Sequence, residues 1–488
     1  MHPTDAMFHW AKHYPQRLAL ILPNMAVTYK ALAEAIDAVS DRIERYEFDP
    51  RKPVAVAITD PSKFLAVCHG LLRNGITCAP VASNAFAHLL ANNINTLIFS
   101  GESNAVVGVR NIRFDDSWLR AKPSVFATAG KNDSRPYGDL IFFTSGTTGI
   151  PKKVVVPGDA FTERLNMLPV TGEAMHRRVL ILPGLGSVFG FNRAASVLYA
   201  GKTVCFAHGA EAQLRFVTTF GIDAIVGSTQ QISDLVDVAE KGTKYRSESL
   251  KEVWVSGGFA SNELIQRVRL ALCRNVIIVY GSSESGFVAS ARYDLISHIP
   301  QAVGFVTPDM RIEIVDATNT PVPAGEEGLV RGHSDFIAQI FAANNPEKAA
   351  ESDDAWWYPG DLGRLTSDGI LCISGRTDEI INMGGVKIAA SLLDEEVRRF
   401  PGIRDAGVCG VRGKSGMDEA WIGVVSDTKV DIGDLRKWIE ETQAETIRVG
   451  EIIVIDQLPR NALGKLERYQ LKALLLGMKS RALSEWNR

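Results

Sequence analysis

The sequence predicts an α/β protein that carries a second, smaller α+β unit at its C-terminal end. Up to about residue 300, short apolar or β-branched runs alternate with helical patterns, which is typical of a largely parallel sheet. Beyond that point strand-like runs follow one another across short polar turns, which predicts a β-rich subdomain at about 300–377. The remaining residues, 379–488, mix strands and helices again.

The individual elements are predicted from their apolar runs and periodicity. In the first part strands are expected at 54–58, 140–143, 179–182, 203–206, 224–226, 253–255 and 276–279, with helices at 29–43, 63–73 and 263–273. The β-rich part has runs at 311–315, 328–331 and 370–373 and no long helix between them. The C-terminal part predicts a helix that begins with a capping-box-like sequence at 391–394, strands at 420–425 and 452–455, and a helix near 435–441. Since ligands of open α/β sheets bind beyond the carboxyl ends of the strands, the loops near 144, 256 and 281 are the first candidate sites.

Composition excludes several classes of function. The 488 residues are 46% hydrophobic and 22% charged, as in an ordinary globular protein. The 53 Lys and Arg against 56 Asp and Glu give a net charge of −3, which argues against a protein-wide basic field for nucleic acid. The six cysteines form no C-x-x-C pair, so neither a disulfide framework nor a cysteine zinc site is predicted. Neither a signal peptide, a membrane span nor a peroxisomal or prenylation signal is recognised, and we expect a cytoplasmic protein.

Residues 140–153, LIFFTSGTTGIPKK, are the most informative stretch. A buried strand leads into small and hydroxylated residues, whose glycines let backbone N–H groups approach phosphate oxygens while Lys152 adds positive charge. The spacing does not match a Walker loop, and a plain Gly/Thr turn is the alternative. The predicted phosphate contacts are Thr144, Ser145, Gly146, Thr147, Thr148, Gly149 and Lys152.

This string resembles the phosphate loop of the adenylate-forming superfamily, which comprises acyl- and aryl-CoA synthetases, adenylation domains of nonribosomal peptide synthetases and beetle luciferases. Four further motifs resemble those of the family and follow in its order: 280–284 (YGSSE), 358–361 (YPGD), 375–379 (GRTDE) and 459–465 (PRNALGK). The resemblance extends from residue 28 to residue 468. It implies a large N-terminal domain, 1–377, a hinge at Asp378 and a small mobile lid domain, 379–488.

The resemblance implies a reaction in which a carboxylate attacks the α-phosphate of ATP. Both partners are anions, so the site has to neutralise charge and hold them in line. The implied catalytic residues are Lys465, Glu284 and Thr144, with Glu284 as the Mg²⁺ ligand. Asp361 would accept the ribose hydroxyls, and Arg376 would support the ribose or the phosphates. The other implied nucleotide contacts are Gly257, Gly258, Tyr280 stacked on adenine, Gly281, Ser282, and Ser283 in place of the usual threonine.

The acid pocket is where this chain departs from its family. The resemblance implies a pocket lined by Ser187, Val188, Phe189, Gly257, Gly258, Phe259, Gly281 and Ser285. Many CoA ligases have histidine or a bulky aromatic residue where this chain has Ser187. Residues 183–192 also contain no Asp or Glu, whereas amino-acid-activating relatives use an aspartate there to pair with the substrate ammonium group. We therefore expect an aryl or medium aliphatic acid.

The acyl acceptor is the least determined part of the prediction. Gly384, Gly385 and Lys387 lie where relatives admit the pantetheine thiol, although a Gly-Gly pair is also an ordinary hairpin turn. The expected cofactors are ATP, Mg²⁺ and CoA. The alternative acceptor is the phosphopantetheine arm of an acyl or peptidyl carrier protein, which requires the same motifs. A non-catalytic nucleotide-binding scaffold is disfavoured because Glu284, Asp361 and Lys465 are all retained.

Overall fold

Strands form four sheets within the part of the chain that the structure, a computed structural model, describes. The described residues are 2–50, 52–81, 86, 89–101, 106–120, 136–144, 152–166, 177–242, 245, 247–344, 356–383, 387–413, 417–442, 447–461 and 464–486. Sheets and helices alternate along most of this length, which confirms the predicted α/β class.

The first half of the chain contains eleven labelled strands and seven helices among its described residues. In chain order they are α1 (Pro3–His13), β1 (Leu18–Leu22), β2 (Met25–Thr28), α2 (Tyr29–Glu44), β3 (Val54–Ala57), α3 (Pro61–Arg73), β4 (Cys78–Pro80), β5 (Thr96–Phe99), β6 (Arg110–Arg113), β7 (Leu140–Thr144), β8 (Lys152–Val156), α4 (Gly158–Asn166), β9 (Arg178–Ile181), α5 (Val188–Tyr199), β10 (Thr203–Cys205), α6 (Ala210–Phe220), β11 (Ala224–Ser228) and α7 (Thr229–Ala239). Short 3₁₀ turns occupy Leu90–Asn92 and Asp116–Leu119.

The second half continues with shorter connections. Its elements are β12 (Glu252–Ser256), α8 (Asn262–Ala271), β13 (Val276–Ser282), β14 (Gly286–Arg292), α9 (Tyr293–Ile296), β15 (Ala302–Val306), β16 (Arg311–Val315), β17 (Gly328–His333), α10 (Asp335–Asn344), β18 (Asp361–Leu365), β19 (Ile370–Arg376), a 3₁₀ turn (Thr377–Glu379), β20 (Ile380–Asn382), β21 (Lys387–Ala389), α11 (Ala390–Arg398), β22 (Asp405–Arg412), β23 (Asp418–Val425), α12 (Ile432–Thr442), β24 (Val449–Val454) and α13 (Arg468–Trp486).

A 13-stranded sheet runs in the order β16-β17-β18-β19-β15-β14-β13-β12-β11-β9-β10-β1-β2. The pairings from β13 through β12, β11, β9 and β10 to β1 are parallel, and those from β13 to β16 are antiparallel. The three strands predicted in the β-rich part, at 311–315, 328–331 and 370–373, thus belong to the antiparallel end of this sheet. Beyond β13 and β14, strands β18 and β19 from much later in the chain join the sheet that carries the YGSSE motif.

One expectation for this region was wrong, because a long helix does interrupt the strands. Helix α10 lies between β17 and β18 and buries Phe336, Ile337 and Ile340. These side chains join the main core on the side of α4 and β8. The apolar stretch was not recognised because a short apolar run can be either a strand or a helix.

The second large sheet runs in the order β6-β5-β3-β4-β7-β8, and only its β7–β8 pair is antiparallel. It shares one apolar cluster with the 13-stranded sheet. Val56 and Phe142 come from the smaller sheet, Val226 from the larger one, and Ile36 and Phe191 from helices α2 and α5. The two sheets are therefore packed around common helices, which fixes β7 and β13 relative to each other.

The C-terminal part has its own sheet, β22-β23-β24, and its own apolar cluster around Val408, Ile422 and Leu435. The strands and the helix α12 agree with the prediction. The helix predicted from residue 391 is present as α11, which begins one residue earlier, at Ala390. The predicted capping box was wrong, because the N-cap residue is Ala389 and makes no side-chain cap. Among the described residues, no helix is long and apolar enough to cross a membrane.

Candidate active site

The predicted phosphate loop connects β7 to β8. These strands pair antiparallel, with Thr144 opposite Lys152 at the end of the hairpin where the loop begins and ends. The predicted phosphate contacts Ser145, Gly146, Thr147, Thr148 and Gly149 lie outside the described residues, and only the backbone of Thr144 is described. The hairpin therefore brings Lys152 back to the carboxyl end of β7.

Lys152 and Glu284 form an ion pair between the two sheets. Nζ of Lys152 donates to Oε1 of Glu284 at 2.9 Å, and the hydroxyl of Ser282 donates to Oε2 at 3.1 Å. Burial would raise the pKa of Glu284, but the hydrogen bond and charge of Lys152 outweigh it and lower the pKa. The ionised carboxylate is 25% exposed, so it is accessible to a hard cation. Mg²⁺ typically takes one or two carboxylates together with phosphate oxygens, and Glu284 fits that requirement.

The turn that carries Glu284 is held by its own serines. Ser285 is fully buried, and its Oγ accepts from the backbone N–H of Ser282 at 3.0 Å. A Cβ added to Gly281 would lie 1.9 Å from the carbonyl oxygen of Gly286, so only glycine fits at that position. Ser285 thus supports the turn, and its predicted place in the acid pocket stays a prediction.

Arg164 of α4 is a site residue that the sequence did not reveal. Its guanidinium is buried and donates to the main-chain carbonyl of Ser283 at 3.3 Å and to that of Glu284. Burial lowers the pKa of Arg164 to about 10, although the negative charge of Glu284 acts to raise it. The arginine lies in a helix outside every motif, and its burial follows only from the packing of α4 against the YGSSE turn.

Asp361 takes part in two polar contacts, and a third contact extends from its partner Arg376 to Asp378. The hydroxyl of Tyr280 donates to Oδ2 of Asp361 at 2.5 Å, and Arg376 donates to Oδ1 at 3.1 Å. Arg376 also pairs with Asp378 at 3.0 Å. Asp361 and Arg376 are register partners on β18 and β19, so the sheet itself sets this geometry. Each carboxylate oxygen keeps further lone-pair capacity, which leaves Asp361 able to accept ribose hydroxyls.

Asp361 is buried at a free-energy cost. Its side chain is 9% exposed, and burial raises its pKa although Tyr280, Arg376 and the charge of Lys465 act in the opposite direction. A carboxyl whose pKa is raised on folding contributes stability that is lost as the pH rises through that raised value. The ionised carboxylate is therefore retained at the expense of stability.

We expect Asp361→Asn to melt at a higher temperature than the wild type near neutral pH, in protein free of nucleotide. The difference should shrink as the pH falls from about pH 8 to about pH 4, because protonation removes the same charge from the wild type. Affinity for ATP should fall about tenfold, since a charged acceptor is lost. Thermal unfolding across this pH range and a nucleotide titration measure both effects. A variant that melts below the wild type at every pH would contradict the burial cost.

The C-terminal lysine motif forms a tight loop against helix α7. Gly464 has φ +74, and a Cβ there would lie 2.5 Å from Cβ of Gln230 in the first turn of α7. Asn461 and Lys465 bond to each other through the backbone, at 3.0 Å. Lys465 is exposed, and its charge acts on Asp361. The structure therefore brings the predicted lysine within electrostatic reach of Asp361 at the end of β18.

Ser187 is the N-cap of α5. Its Oγ accepts from the backbone N–H of Gly190 at 3.1 Å and donates to the carbonyl of Gly184 at 2.7 Å. Val188 is buried and Phe189 is half-buried. The residue that departs from the family pattern thus has a local structural role at the start of the helix that is predicted to line the acid pocket.

Three further residues of the predicted pocket, Gly257, Gly258 and Phe259, lie in the loop after β12. Gly257 has φ +77, in the region that favours glycine, and a Cβ on Gly258 would lie 2.7 Å from Oγ1 of Thr229. The side chain of Phe259 is 43% exposed. The two glycines let this loop pass close to Ser228 and Thr229 at the end of β11.

The predicted hinge and thiol tunnel follow β19. Asp378 lies in the 3₁₀ turn after β19. Its neighbour Glu379 pairs with Arg468 of α13 at 3.0 Å. Arg468 also pairs with Asp394 of α11 at 2.7 Å. Arg468 therefore connects the turn after β19 to α11 and α13. Gly384 and Gly385 lie outside the described residues, and only the backbone of Lys387, at the start of β21, is described.

The fold and this charged site define a nucleotide-binding α/β protein, and comparison with known proteins identifies the family. A family model described as AMP-binding enzyme matches residues 7–339. The chain therefore belongs to the AMP-binding enzyme family.

Relatives of several kinds share this family. The chain is 24% identical to a salicylyl-CoA synthase / salicylate adenylyltransferase from Streptomyces sp, over 97% of this chain and 94% of that protein. It is 25% identical to the phosphinothricin tripeptide synthetase PhsC of Streptomyces viridochromogenes, over 94% of this chain, but it spans 44% of that longer relative.

Solved structures show the same fold at low identity. The o-succinylbenzoate CoA synthetase MenE from Bacillus subtilis, in complex with ATP and magnesium ion, superposes with a TM-score of 0.80 at 19% identity. The superposition covers 96% of this chain and 99% of that one.

Proposed function

We propose that this chain activates a carboxylic acid with ATP and then transfers the acyl group to the thiol of CoA. In the first step a carboxylate oxygen attacks the α-phosphorus, the bond from that phosphorus to the bridging oxygen breaks, and pyrophosphate leaves. In the second step the thiolate attacks the acyl carbonyl carbon and AMP leaves. The acid is aryl or medium aliphatic, because residues 183–192 supply no carboxylate for an ammonium group.

The observation that carries the proposal is that polar groups from three motifs converge on Asp361. Tyr280, Arg376 and Lys465 act on this one carboxylate from three separate motifs. In the proposed role Asp361 orients the nucleotide by its ribose, while Lys465 lies within electrostatic reach to neutralise the carboxylate and α-phosphate during attack. Magnesium, when bound, neutralises the polyphosphate charge, and Glu284 is the residue that would hold it.

Thioester formation requires the thiol to reach the adenylate. In our proposal the small domain turns about Asp378, which withdraws Lys465 and brings residues 384–387 to the site. The pairing of Arg376 with both Asp361 and Asp378 supports a mechanical link between the nucleotide and this hinge. Domain rotation of this kind lets one site serve two reactions in sequence.

The acceptor has a second candidate, a carrier protein with a phosphopantetheine arm. The similarity to the peptide synthetase PhsC over 94% of this chain favours it. The two acceptors are distinguished by comparing turnover with CoA and turnover with holo-carrier protein. Both are measured at the same concentration of acyl adenylate.

The decisive test is acid-dependent exchange of labelled pyrophosphate into ATP across aryl, aliphatic and amino acids. It requires no acceptor, so it isolates the first step. We expect exchange with aryl or medium aliphatic acids and background exchange with α-amino acids. Exchange with α-amino acids alone would overturn the proposed acid class, and background exchange with every acid, while ATP still binds, would overturn acid activation.

A further inference from the structure

The lysine loop, whose described residues are 459–461, 464 and 465, rests against the side chain of Gln230 in helix α7. A Cβ added to Gly464 would lie 2.5 Å from Cβ and 2.8 Å from Cγ of Gln230. These distances are shorter than real Cβ contacts, so no side chain fits between the loop backbone and Gln230. The closest approach of the loop to α7 is therefore made by the residue directly before Lys465.

The lysine loop is held together by its own hydrogen bonds. The guanidinium of Arg460 donates to the carbonyl of Gly464 at 2.8 Å and to Oδ2 of Asp405 at 2.8 Å. The backbone N–H of Lys465 donates to Oδ1 of Asn461 at 3.0 Å. Asp405 begins β22, so these bonds tie the loop to the C-terminal sheet. A displacement of Gly464 therefore displaces Lys465 as well.

The first turn of α7 is equally well held. The hydroxyl of Ser228 accepts from the backbone N–H of Gln231 at 3.3 Å, and Oε1 of Gln231 accepts from the N–H of Ser228 at 3.0 Å, which is a capping box. Nε2 of Gln230 donates to Oδ1 of Asp234, one turn later, at 2.9 Å. This bond fixes the side chain of Gln230 along the helix surface, where Gly464 lies against it.

The contact depends on shape more than on charge. Asp234 is exposed, and the charges of Arg460 and Asp405 both reach its carboxyl but act in opposite directions. Since Arg460 and Asp405 are paired with each other, their combined effect on Asp234 is small. The position of the lysine loop on α7 is therefore set by the close approach of Gly464 to Gln230.

This contact belongs to one arrangement of the protein. With Gly464 against Gln230, Lys465 lies within electrostatic reach of Asp361. In the proposed function that is the arrangement of the first step, in which the carboxylate attacks the α-phosphate. The proposed rotation about Asp378 withdraws Lys465 for the second step, so the contact with Gln230 has to open between the two steps.

We propose that Gln230 is a positioning residue for acid activation, because the lysine loop closes against it and this contact sets the place of Lys465 beside the nucleotide. This inference rests on the proposed function and adds to it a residue that lies outside every motif. Gln230 acts through Lys465 and touches no reacting atom. A displacement of about 1 Å of a catalytic group costs on the order of 10²-fold in rate, so a small change at this contact has a measurable effect.

The first test places a larger side chain at the contact. Gln230→Trp should lower kcat of pyrophosphate exchange by about tenfold or more, because the loop cannot close fully. Thioester formation from supplied acyl adenylate should stay near the wild-type rate, because that step does not use the closed loop. Asp237→Trp is the matched control: Asp237 lies on the same helix but pairs with Arg267 of α8, at 2.6 Å, and its replacement should leave both steps unchanged. Equal losses of both steps in Gln230→Trp would overturn the inference.

The second test asks whether the contact exists in the working enzyme. Gly464→Ala adds a Cβ that collides with Gln230 and should reduce exchange. Gln230→Gly removes the colliding atoms, so the double variant should recover part of the lost rate. The backbone strain of Ala at φ +74 is the same with and without Gln230, and only the collision is relieved. A double variant no faster than Gly464→Ala would contradict the contact.

A cross-link separates failure of this inference from failure of the proposed function. In the double variant Gln230→Cys/Gly464→Cys the two Cβ positions lie 2.5 Å apart, and a disulfide requires roughly 3.8 Å, so a loop shift of about 1 Å allows the bond. Oxidised glutathione should form it in the nucleotide-free protein, and peptide mass spectrometry detects it without any acid substrate. Absence of the bond would overturn the inference. Its formation, with background exchange for every acid, would uphold the contact and contradict acid activation.

Discussion

Lys465→Ala is expected to reduce pyrophosphate exchange by about 10²- to 10³-fold while leaving thioester formation from supplied acyl adenylate near the wild-type rate. The lysine lies on a tight loop against α7, and its charge acts on Asp361. In the proposed reaction that charge is needed while the carboxylate attacks the α-phosphate, and it is dispensable once the adenylate exists. Exchange kinetics and a CoA thioesterification assay with synthetic acyl adenylate measure the two steps separately.

The matched control is Lys437→Ala. Lys437 is an exposed lysine of the same C-terminal part, 75% exposed and paired with Glu441 within α12. It should leave both steps unchanged. Equal losses of both steps in Lys465→Ala would contradict the division of roles between the two faces of the small domain.

Glu284→Gln is expected to reduce exchange by at least about 100-fold at fixed Mg²⁺ and to shift the half-saturating Mg²⁺ concentration upward. A glutamine can still accept from Lys152 through its amide oxygen, so the local structure should survive. Glutamine lacks the negative charge of Glu284. The contact with Lys152 maintains that charge in the wild type, because it lowers the pKa of Glu284. Exchange rates over a range of Mg²⁺ concentrations, with the melting temperature as a check on folding, measure the effect.

Glu451→Gln serves as the control for this variant. Glu451 pairs with Lys479 as Glu284 pairs with Lys152, and both side chains of that pair are 39% exposed. It should leave the Mg²⁺ dependence unchanged. A Glu284→Gln enzyme with normal Mg²⁺ dependence and a proportionate loss of stability would show that Glu284 acts only as a structural partner of Lys152.

Some elements were predictable because their signal is local. Strands such as β3 and β12 are continuous apolar runs, and helix α2 has a clear amphipathic pattern, so each was predicted within a few residues of its bounds. Helix α10 was not predicted, because a short apolar run fits both periodicities. The capping box of α11 was wrong, because capping sequences recur without forming caps.

The same distinction between local signals and tertiary packing applies to the site residues. Glu284, Asp361 and Lys465 were predicted from motifs, since their chemistry depends on residue type and spacing. Arg164 was not predicted, because its role depends on burial against a carbonyl that lies over a hundred positions away along the chain.

The sequence by itself thus determined the α/β class, the order of the motifs and the charged residues proposed for acid activation. These properties reside in residue identity and short-range pattern. Only the tertiary structure decided that Tyr280 and Arg376 hold the two oxygens of one carboxylate and that Ser187 caps α5. The physical reason is that hydrogen-bond partners and burial are set by strands and helices that are distant in sequence, and neither is encoded at any single position.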